Sequence, residues 1–489
     1  FIAEAEHDLV ARAGADGAWL LHNPSPCATP GAMTLARLPL DGDEPPEVMA
    51  GHRMLRTQVG ATRGGGRELL VECPAIAGRG WLALRAHAPR QSSATPQHDN
   101  RAAHAALTNT GGALLENALY RLVLDTNGEI TSLIDKRVAG GRELLMADAG
   151  GARLLAFDDR PRRFGSWDFD AWDLDETYER KPLPLGPAEL TLAESGPLRA
   201  TIHVRRVFQQ SVIEQNISLC RDQPRIDFAT HIDWHEHHVL LKAAFPLDVR
   251  VTQARSEIQY GSIARPTHRN TSWDAARFET VAHRWVDLSE SGYGVALLND
   301  GRYGHDIQGS VVRLSLLRSP TFPDPEADQG AHDVVYSLLP HLGAWPQGDV
   351  VAHGYALNRP LRVVAPLRDD SPDEASDAPQ PLFWLKDGAV VLEAVKRAAE
   401  GDDLIVRLYE WAGSRASASI HCALPIERVV EADLLERPLT AEASPAHADW
   451  LVSRAASHDA PAPRADGWTC AFRPFEIRTF RVTLRWPTR

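Results

Sequence analysis

From Gly17 onward, short apolar runs alternate with glycine, proline and aspartate, and this succession constrains the fold more than any other feature of the chain. Runs such as "GAWLLHN", "RELLVECPAI" and "GWLALRAHA" have the length of strands and show no helical repeat. The same character extends to about residue 365 and returns after residue 382. The sequence therefore predicts an all-β chain, with a short helix remnant at its N-terminal end.

Changes in composition predict the domain boundaries. Residues 1–14, "FIAEAEHDLVARAG", place apolar residues at helical spacing and are predicted to end a preceding helical domain. The β-rich remainder divides into a small β-sandwich (15–88), a polar linker (89–112), a large two-sheet sandwich (113–367), an acidic linker (368–382) and a C-terminal β-sandwich (383–489). Within the large sandwich, Asn127-Gly128 predicts a hairpin with a type I′ turn.

Charge and cysteine usage exclude several kinds of partner. The formal net charge is −13, whereas nucleic acid and anionic membranes bind basic surfaces, so we expect neither as a partner. No stretch approaches the ~20 apolar residues that cross a bilayer. The five cysteines are dispersed without a CxxC pair, which is typical of reduced thiols and favours a cytoplasmic setting. A neutral, polyhydroxylated substrate suits this charge.

The segment "GSWDFDAWDLDETYERK" (165–181), here named the tryptophan–aspartate segment, mixes indoles with carboxylates. A calcium loop is disfavoured, because Asp173 stands where the EF-hand turn requires glycine. Indole faces stack on sugar rings, and carboxylates accept hydrogen bonds from vicinal hydroxyls, so Trp172 and Asp173 suit a sugar platform. A structural loop whose tryptophans cover the rim of the sandwich is an equally good interpretation.

A second acidic loop, "LLRSPTFPDPEADQGAHD" (316–333), carries Asp324, Asp328 and His332 among three prolines. Proline prevents regular strand pairing and stiffens a turn. A stiff loop that carries acids can display binding groups, although solvated turns have the same composition.

Motifs for metal or nucleophilic chemistry are missing from the sequence. There is no GxSxG elbow, no phosphate-binding glycine loop and no HExxH. In "DWHEHHVLLK", a strand would place His235 and His237 on one face, but a zinc site needs three or four ligands and no third is identifiable. We therefore expect no metal site in this chain, and interpret these histidines as structural.

Several long runs, in order along the chain, resemble the C-terminal region of glycoside hydrolase family 38 α-mannosidases of the cytosolic and bacterial branch. They include "LENALYRLVLDTNGEITSLIDKRVAGGREL", "SWDFDAWDLDETY", "LLRSPTFPDPEADQGAHDVVYSLLPHLGAW" and "FRPFEIRTF". The resemblance implies that the large sandwich is a galactose-mutarotase-like supersandwich whose loops complete a sugar pocket. It also implies that the N-terminal catalytic barrel is not part of this sequence.

The resemblance further implies what the intact enzyme does. It would hydrolyse α-mannosidic linkages with retention of configuration, using zinc and an aspartate nucleophile in the catalytic domain. We therefore expect no catalytic residue and no cofactor in this chain. Its expected partners are a mannose-containing oligosaccharide or glycoside and its own N-terminal catalytic domain. A homo-oligomer, and the alternative of a stand-alone carbohydrate-binding or mutarotase-like protein, stay open. The substrate-binding candidates are Trp172, Asp173, Asp324, Asp328 and His332.

Overall fold

The computed structural model describes most of the chain: residues 18–31, 33–40, 44–61, 66–87, 99–147, 151–160, 181–364, 381–385, 388–439, 464 and 466–485. Their regular structure is almost entirely strand. The helical elements are α1 (Ser272–Ala275), a 3-10 turn (Trp345–Gly348) and α2 (Val350–Asn358). None of the helices in these ranges is long and apolar enough to span a membrane. The helix predicted for residues 1–14 lies outside the described residues.

The first sandwich packs two antiparallel sheets around a small apolar core. Its strands are β1 (Ala18–His22), β2 (Met33–Pro39), β3 (Glu47–Ala50), β4 (Arg53–Met54), β5 (Thr57–Ala61), β6 (Arg67–Pro74) and β7 (Trp81–His87). One sheet contains β1, β7, β3 and β4, and the other has the order β2-β6-β5. Alternate residues of these strands supply the core between the sheets, among them Leu21, Val48, Leu69, Val71 and Leu84.

The second sandwich is much larger. Its strands are β8 (His104–Leu107), β9 (Ala113–Glu116), β10 (Tyr120–Leu124), β11 (Ile130–Asp135), β12 (Arg142–Glu143), β13 (Arg153–Asp158), β14 (Ala188–Ser195), β15 (Arg199–Phe208), β16 (Ser211–Cys220), β17 (Ile226–Trp234), β18 (Val239–Pro246), β19 (Gln253–Ile258), β20 (Gly261–Pro266), β21 (Thr280–Val281), β22 (Trp285–Glu290), β23 (Tyr293–Asn299), β24 (Gly304–Gln308), β25 (Val311–Arg318) and β26 (Gly330–Leu342). They form three sheets rather than the predicted two, with the orders β12-β11-β10-β9-β8, β13-β18-β25-β24-β21 and β14-β15-β16-β17-β26-β23-β22-β19-β20. The second and third are called the β13 sheet and the nine-stranded sheet below.

The alternation of side chains explains how these sheets pack. On β16, Ile213, Ile217 and Leu219 belong to the core, while Asn216 and Ser218 point to the opposite face of the nine-stranded sheet. Every residue of β18 is buried, so the β13 sheet is covered on both faces. One face of the nine-stranded sheet therefore carries polar side chains outside the core, whereas the β13 sheet is buried on both faces at β18.

The hairpin predicted at Asn127-Gly128 is present, between β10 and β11, but the predicted type I′ turn is wrong. Such a turn needs positive φ at both central residues, and only Gly128 has it, with φ of 64°. The Asp125 carboxylate accepts hydrogen bonds from the backbone N–H groups of Asn127 and Glu129, at 2.8 and 2.9 Å. This side chain stabilises a longer loop than the two-residue turn.

Two strands belong to sheets that the predicted domain boundaries do not assign to them. Residues 104–107 fall in the predicted linker 89–112, yet they form β8 and pair with β9. The strand β27 (Arg362–Val364), at the end of the predicted large sandwich, pairs with β1 of the small one. Composition gives no sign of either pairing, because β8 is a short strand within a polar stretch and the partner of β27 lies more than 300 residues earlier in the sequence.

The C-terminal sandwich has seven strands in the described ranges. They are β28 (Phe383–Leu385), β29 (Val390–Arg397), β30 (Leu404–Glu410), β31 (Ala416–Cys422), β32 (Ile426–Ala432), β33 (Gly467–Phe472) and β34 (Ile477–Leu484). They form sheets of order β28-β31-β33 and β29-β30-β34-β32, around Leu392, Trp468 and Phe480. The all-β prediction, with a small, a large and a C-terminal sandwich in this order, is confirmed.

Helix α2 lies where the three sandwiches meet. The hydroxyl of its buried Tyr355 donates to the carboxylate of Glu393 in the C-terminal sandwich. The guanidinium of Arg284, from the large sandwich, lies 3.6 Å from the centre of the Tyr355 ring. Arg79 of the small sandwich donates to the carbonyl of Glu393 over 2.6 Å. One aromatic residue and its neighbours thus connect all three parts.

Candidate functional site

The tryptophan–aspartate segment contains two of the five predicted substrate-binding residues, and both Trp172 and Asp173 lie outside the described residues. The chain on either side shows where the segment is attached. It follows β13 after Arg160, and beyond it the backbone N–H of Leu183 donates to the carbonyl of Ala156 over 2.8 Å. The segment is therefore attached at both ends beside β13, the edge strand of its sheet.

The other three candidates follow β25: Asp324 and Asp328 lie in the loop between β25 and β26, and His332 lies near the start of β26. The Asp324 carboxylate accepts a hydrogen bond from the backbone N–H of Glu326 at 3.0 Å. The Asp328 carboxylate accepts from the backbone N–H of Arg318 at 3.0 Å, and its carbonyl accepts from Nε2 of His332 at 2.9 Å. The structure brings Asp328 and His332 together and holds Asp324, which is exposed, in a turn of the loop that contains Asp328. Their role in binding substrate stays a prediction.

Hydrogen bonds tie the starting points of these two loops together. Asp159, which is 3% exposed, forms an ion pair with Arg318, in which Nη2 lies 3.2 Å from Oδ1. The backbone N–H of Asp159 donates to the carbonyl of His238, and the N–H of His238 donates to the carbonyl of Ser319, both over 2.7 Å. The segment after β13 and the loop after β25 therefore start side by side, at one end of the β13 sheet.

The histidine-rich residues 235–238 do not lie on a strand. Strand β17 ends at Trp234 and β18 begins at Val239, so these four residues form the connection between them. The alternation predicted for His235 and His237 therefore does not apply. His238 has a φ of 56°, the left-handed conformation of a tight turn.

The described residues do not fit a zinc ion. Nε2 of His235 lies 3.0 Å from Oδ1 of Asp233, and the Glu236 carboxylate accepts from the Ser211 hydroxyl at 2.8 Å. In the part of the chain that the structure describes, no three histidine, cysteine, aspartate or glutamate side chains are grouped so that they could hold a metal ion.

Sequence reasoning missed a buried charge cluster on the β13 sheet, which consists of Lys242, Glu279, Asp306 and Arg313. On β18, Leu241 and Ala243 belong to the core of the large sandwich, so the Lys242 side chain points away from it. Lys242 is nevertheless 0% exposed. The available signal was the run "VLLKAAFP", in which one lysine interrupts apolar residues, since a fully buried lysine needs charged partners.

Each charge in the cluster has a partner. Nζ of Lys242 lies 2.5 Å from Oδ2 of Asp306 and 3.1 Å from Oε2 of Glu279. The other oxygen of Asp306 accepts from Nε of Arg313 at 2.6 Å, and that of Glu279 accepts from the Ser315 hydroxyl at 2.6 Å. Two cations and two carboxylates are thus paired at low exposure, which limits the desolvation penalty of burying them.

Two groups of the cluster titrate near neutral pH. Burial raises the pKa of Glu279 to about 7. Burial also lowers the pKa of Lys242 to about 8, although the Asp306 carboxylate opposes the change. Groups 3.1 Å apart that change charge in this range can take up or release a proton at physiological pH. The cluster could therefore support acid–base chemistry or a contact that depends on charge.

The segment that carries Glu279 also presents an exposed tryptophan. Trp273 lies on α1 and is 77% exposed. A capping box holds this turn, with Thr271 and Asp274 each accepting from the other's backbone N–H. An exposed indole on a rigid turn offers the apolar face that a sugar ring or a protein partner would cover. We define the β13 outer surface as the Asp159–Arg318 pair, residues 319–329 and Glu279, through which the buried charge cluster reaches solvent, together with Trp273, which precedes Glu279 in the same connecting segment.

Two family models match the chain in series. The "Glycosyl hydrolases family 38 C-terminal domain" matches residues 115–326, within the large sandwich. The "Glycosyl hydrolases family 38 C-terminal beta sandwich domain" matches residues 389–480, within the C-terminal sandwich. Both sandwiches therefore resemble parts of one family.

Curated relatives agree with this assignment. The chain is 41% identical to Alpha-mannosidase 2C1 of Homo sapiens over 332 residues, which are 67% of this chain and 31% of that protein. It is 33% identical to Alpha-mannosidase G of Dictyostelium discoideum over 384 residues, which are 76% of this chain and 32% of that protein. The chain thus spans about a third of the length of the curated relatives that it matches.

A solved structure supports the fold. An alpha-mannosidase from Enterococcus faecalis V583 superimposes with a TM-score of 0.65, covering 98% of this chain and 57% of that one at 16% identity. At this identity the likeness concerns the fold alone. Together with the two family models and the curated relatives, it places the chain in glycosyl hydrolases family 38, as the C-terminal region of the family's proteins.

Proposed function

We propose that this chain is the β-rich C-terminal portion of an α-mannosidase that, as an intact polypeptide, hydrolyses α-mannosidic linkages in oligosaccharides or glycosides. The observation that carries the proposal is the 41% identity to Alpha-mannosidase 2C1 over two thirds of the chain. A retaining mechanism, a zinc ion in the catalytic domain and a cytoplasmic setting belong to the same proposal and rest on the family resemblance. On this proposal the chain alone is inactive.

The β13 outer surface is proposed to face the catalytic domain and its sugar pocket. Three observations support this role. The two loops with the predicted sugar-binding residues start side by side there, through Asp159 and Arg318. Glu279 has a pKa near neutrality and a half-buried position. Trp273 offers an exposed aromatic face. Asp328 and His332 would then supply hydrogen bonds to sugar hydroxyls.

Hydrolysis of an aryl α-mannoside by the intact polypeptide and by the 1–489 chain tests the activity. The intact polypeptide should turn over the substrate, and the chain should not. Turnover by the chain alone would contradict the proposal. Interconversion of sugar anomers by the chain, without hydrolysis by the intact polypeptide, would favour the mutarotase-like alternative.

A pair of variants in the intact polypeptide tests the surface. Glu279→Gln removes the carboxylate that titrates near neutrality, so kcat/KM should fall and its pH profile should change shape. Glu189→Gln, at an exposed position on β14, serves as the control. If the two variants keep the same kcat/KM and the same pH profile, Glu279 has no role in the sugar pocket.

A further inference from the structure

The face of the nine-stranded sheet that points away from the core carries rows of hydrogen-bonding side chains. Residues directly opposite each other on β15, β16, β17 and β26 form these rows: Thr201, Ser218, Asp227 and Ser337 in one, His203, Asn216, Ala229 and Val335 in the next, and Arg205, Glu214, His231 and Asp333 in the third. Neighbouring strands lie about 4.8 Å apart, so the first and third rows offer polar groups at roughly that interval on all four strands, and the second row does so on β15 and β16. This interval is comparable to the spacing of sugar rings along an oligosaccharide.

A groove runs over this face. One half, of about 620 Å³, lies between the sheet, β2 of the small sandwich and the C-terminal turn of α2. The other half, of about 630 Å³, continues along the sheet towards β14. Arg37, Arg199, Ser218 and Ala229 line both halves, so the groove is continuous. Each half has the size of a small-molecule site, which typically measures about 300–1,000 Å³.

Apart from Arg37, which lines both halves of the groove, the arginine side chains of the groove are paired within the fold. Arg199 pairs with Glu194 at 2.6 Å and with Glu68 at 2.7 Å. Arg225 pairs with Asp227 at 2.6 Å. A charged ligand would have to compete with these pairs, whereas a neutral ligand would not. The balance therefore favours an uncharged ligand that forms hydrogen bonds.

Neutral side chains in the groove retain unused hydrogen-bonding groups. The hydroxyls of Thr201 and Ser218 lie 2.9 Å apart, and the Thr201 hydroxyl donates to the Glu194 carboxylate at 3.4 Å, so the Ser218 hydroxyl donates to Thr201 and keeps its lone pairs for a donor of the ligand. Nδ1 of His203 lies 2.9 Å from Oδ1 of Asn216, a contact that leaves the Asn216 amide with its two N–H donors. Vicinal hydroxyls of a sugar can both donate to and accept from such groups.

A buried histidine lines the half of the groove next to α2. His353, on α2, lines the cavity and is 4% exposed. Among the described residues its imidazole has no hydrogen-bond partner, and the same is true of the Arg37 guanidinium on β2. Buried polar side chains are nearly always hydrogen-bonded, because an unsatisfied one costs about 1–3 kcal/mol. An imidazole without a partner in a cavity indicates a ligand that supplies one.

We propose that this groove binds a neutral, linear oligosaccharide that lies across β15, β16, β17 and β26, with one end against His353. The spacing of the polar rows, the balanced charges and the unpartnered imidazole each favour this ligand. The groove is built on a different sheet from the β13 outer surface. Only the choice of mannose as the sugar rests on the proposed function.

Calorimetric titration of the 1–489 chain with a linear tetrasaccharide of α-linked mannose tests the inference. Ala229 is exposed and lines both halves of the groove, so Ala229→Trp fills it without disturbing the core. The tetrasaccharide should bind the unchanged chain, and Ala229→Trp should weaken the binding at least tenfold. Ala471→Trp, an identical change at an exposed position on β33, is the control and should bind normally.

Three results would overturn the inference: no binding of the tetrasaccharide, equal affinity in the unchanged chain and the Ala229→Trp variant, or binding of inorganic phosphate in its place. Hydrolysis of an aryl α-mannoside by the intact polypeptide separates this inference from the proposed function. Normal hydrolysis by the intact polypeptide without tetrasaccharide binding to the chain would contradict the oligosaccharide site in the groove and leave the proposed function standing. Tetrasaccharide binding that Ala229→Trp weakens, without hydrolysis by the intact polypeptide, would support the oligosaccharide site and contradict the proposed α-mannosidase function.

Discussion

The hydroxyl of Tyr355 on α2 lies 3.0 Å from the hydroxyl of Tyr409 in the C-terminal sandwich. Tyr355 donates to the Glu393 carboxylate, so its oxygen is free to accept the hydrogen of Tyr409. Both side chains are buried, at 0% and 2% exposure, and burial raises the pKa of each phenol. The two phenols therefore stay protonated, and the contact persists at any pH at which the protein is folded.

Removing this hydroxyl should loosen the junction of the three sandwiches. Tyr355→Phe loses the hydrogen bond to Glu393 and leaves Tyr409 without its acceptor, so the free energy of unfolding should fall by about 1–3 kcal/mol. Denaturant titration measures the change. Tyr303→Phe removes a hydroxyl from a side chain that is 53% exposed, and should alter stability little. Equal effects of the two variants would show that the Tyr355 hydroxyl does not support the junction.

The buried charge cluster should be sensitive to loss of its lysine. Lys242→Met removes the cation between Asp306 and Glu279, and breaking a buried pair on one side typically costs about 3–5 kcal/mol. Lys136→Met, which breaks the 3.0 Å surface pair with Glu116, should cost less than about 1 kcal/mol. Thermal and denaturant unfolding of both variants check the contrast. If the Lys242→Met protein is as stable as the Lys136→Met protein, Lys242 does not stabilise the buried charge cluster.

A buried histidine should make the protein sensitive to acid. Burial lowers the pKa of His305 from 6.5 to about 4. The unfolded chain therefore binds a proton between these values while the folded chain does not, so stability is highest above pH 6.5 and falls as the pH drops towards 4. The loss attributable to His305 should be ~3 kcal/mol by pH 4.

Comparing variants isolates this contribution. His305→Gln should flatten the fall in unfolding free energy between pH 6.5 and 4, whatever its effect at neutral pH. His52→Gln, at an exposed position, is the control and should keep the profile of the unchanged protein. An unaltered slope in His305→Gln would mean that other groups cause the acid sensitivity.

The tryptophan–aspartate segment can be tested in the intact enzyme. If Asp173 binds a sugar hydroxyl, Asp173→Asn should lower kcat/KM by an amount that corresponds to about 1.5–3 kcal/mol, the value of a charged hydrogen bond, with little change in melting temperature. Asp402→Asn, at a fully exposed position, should change neither quantity. A melting temperature that falls by several degrees while kcat/KM is unchanged would mark Asp173 as structural.

Local pattern was sufficient to predict some parts of this fold. The alternation along β16 depends only on the two-residue period of a strand, so Ile217 and Ser218 could be assigned to opposite faces without a structure. The hairpin around Gly128 was equally visible. Its turn type was not, because the Asp125 side chain replaces the backbone contacts that a shorter turn would use.

Other parts depend on partners that are distant in the sequence. The environment of Lys242 depends on Asp306 and Glu279, which join it only through the pairing of β18 with β25 and the course of the chain around α1. Likewise, Asp328 and His332 could be chosen from the sequence as polar residues of one acidic stretch, although His332 lies on β26. Their hydrogen bond depends on the loop conformation, including the φ of 59° at Asp328.

The pairing of β27 with β1 has a consequence for how the protein is made. During synthesis β1 leaves the ribosome first, and its partner follows only after the whole large sandwich has emerged. Until then β1 is an edge strand with free backbone groups, the kind of edge that other chains can join. A product truncated before Arg362 would keep this edge open permanently. The pairing with β27 therefore protects β1 against aggregation.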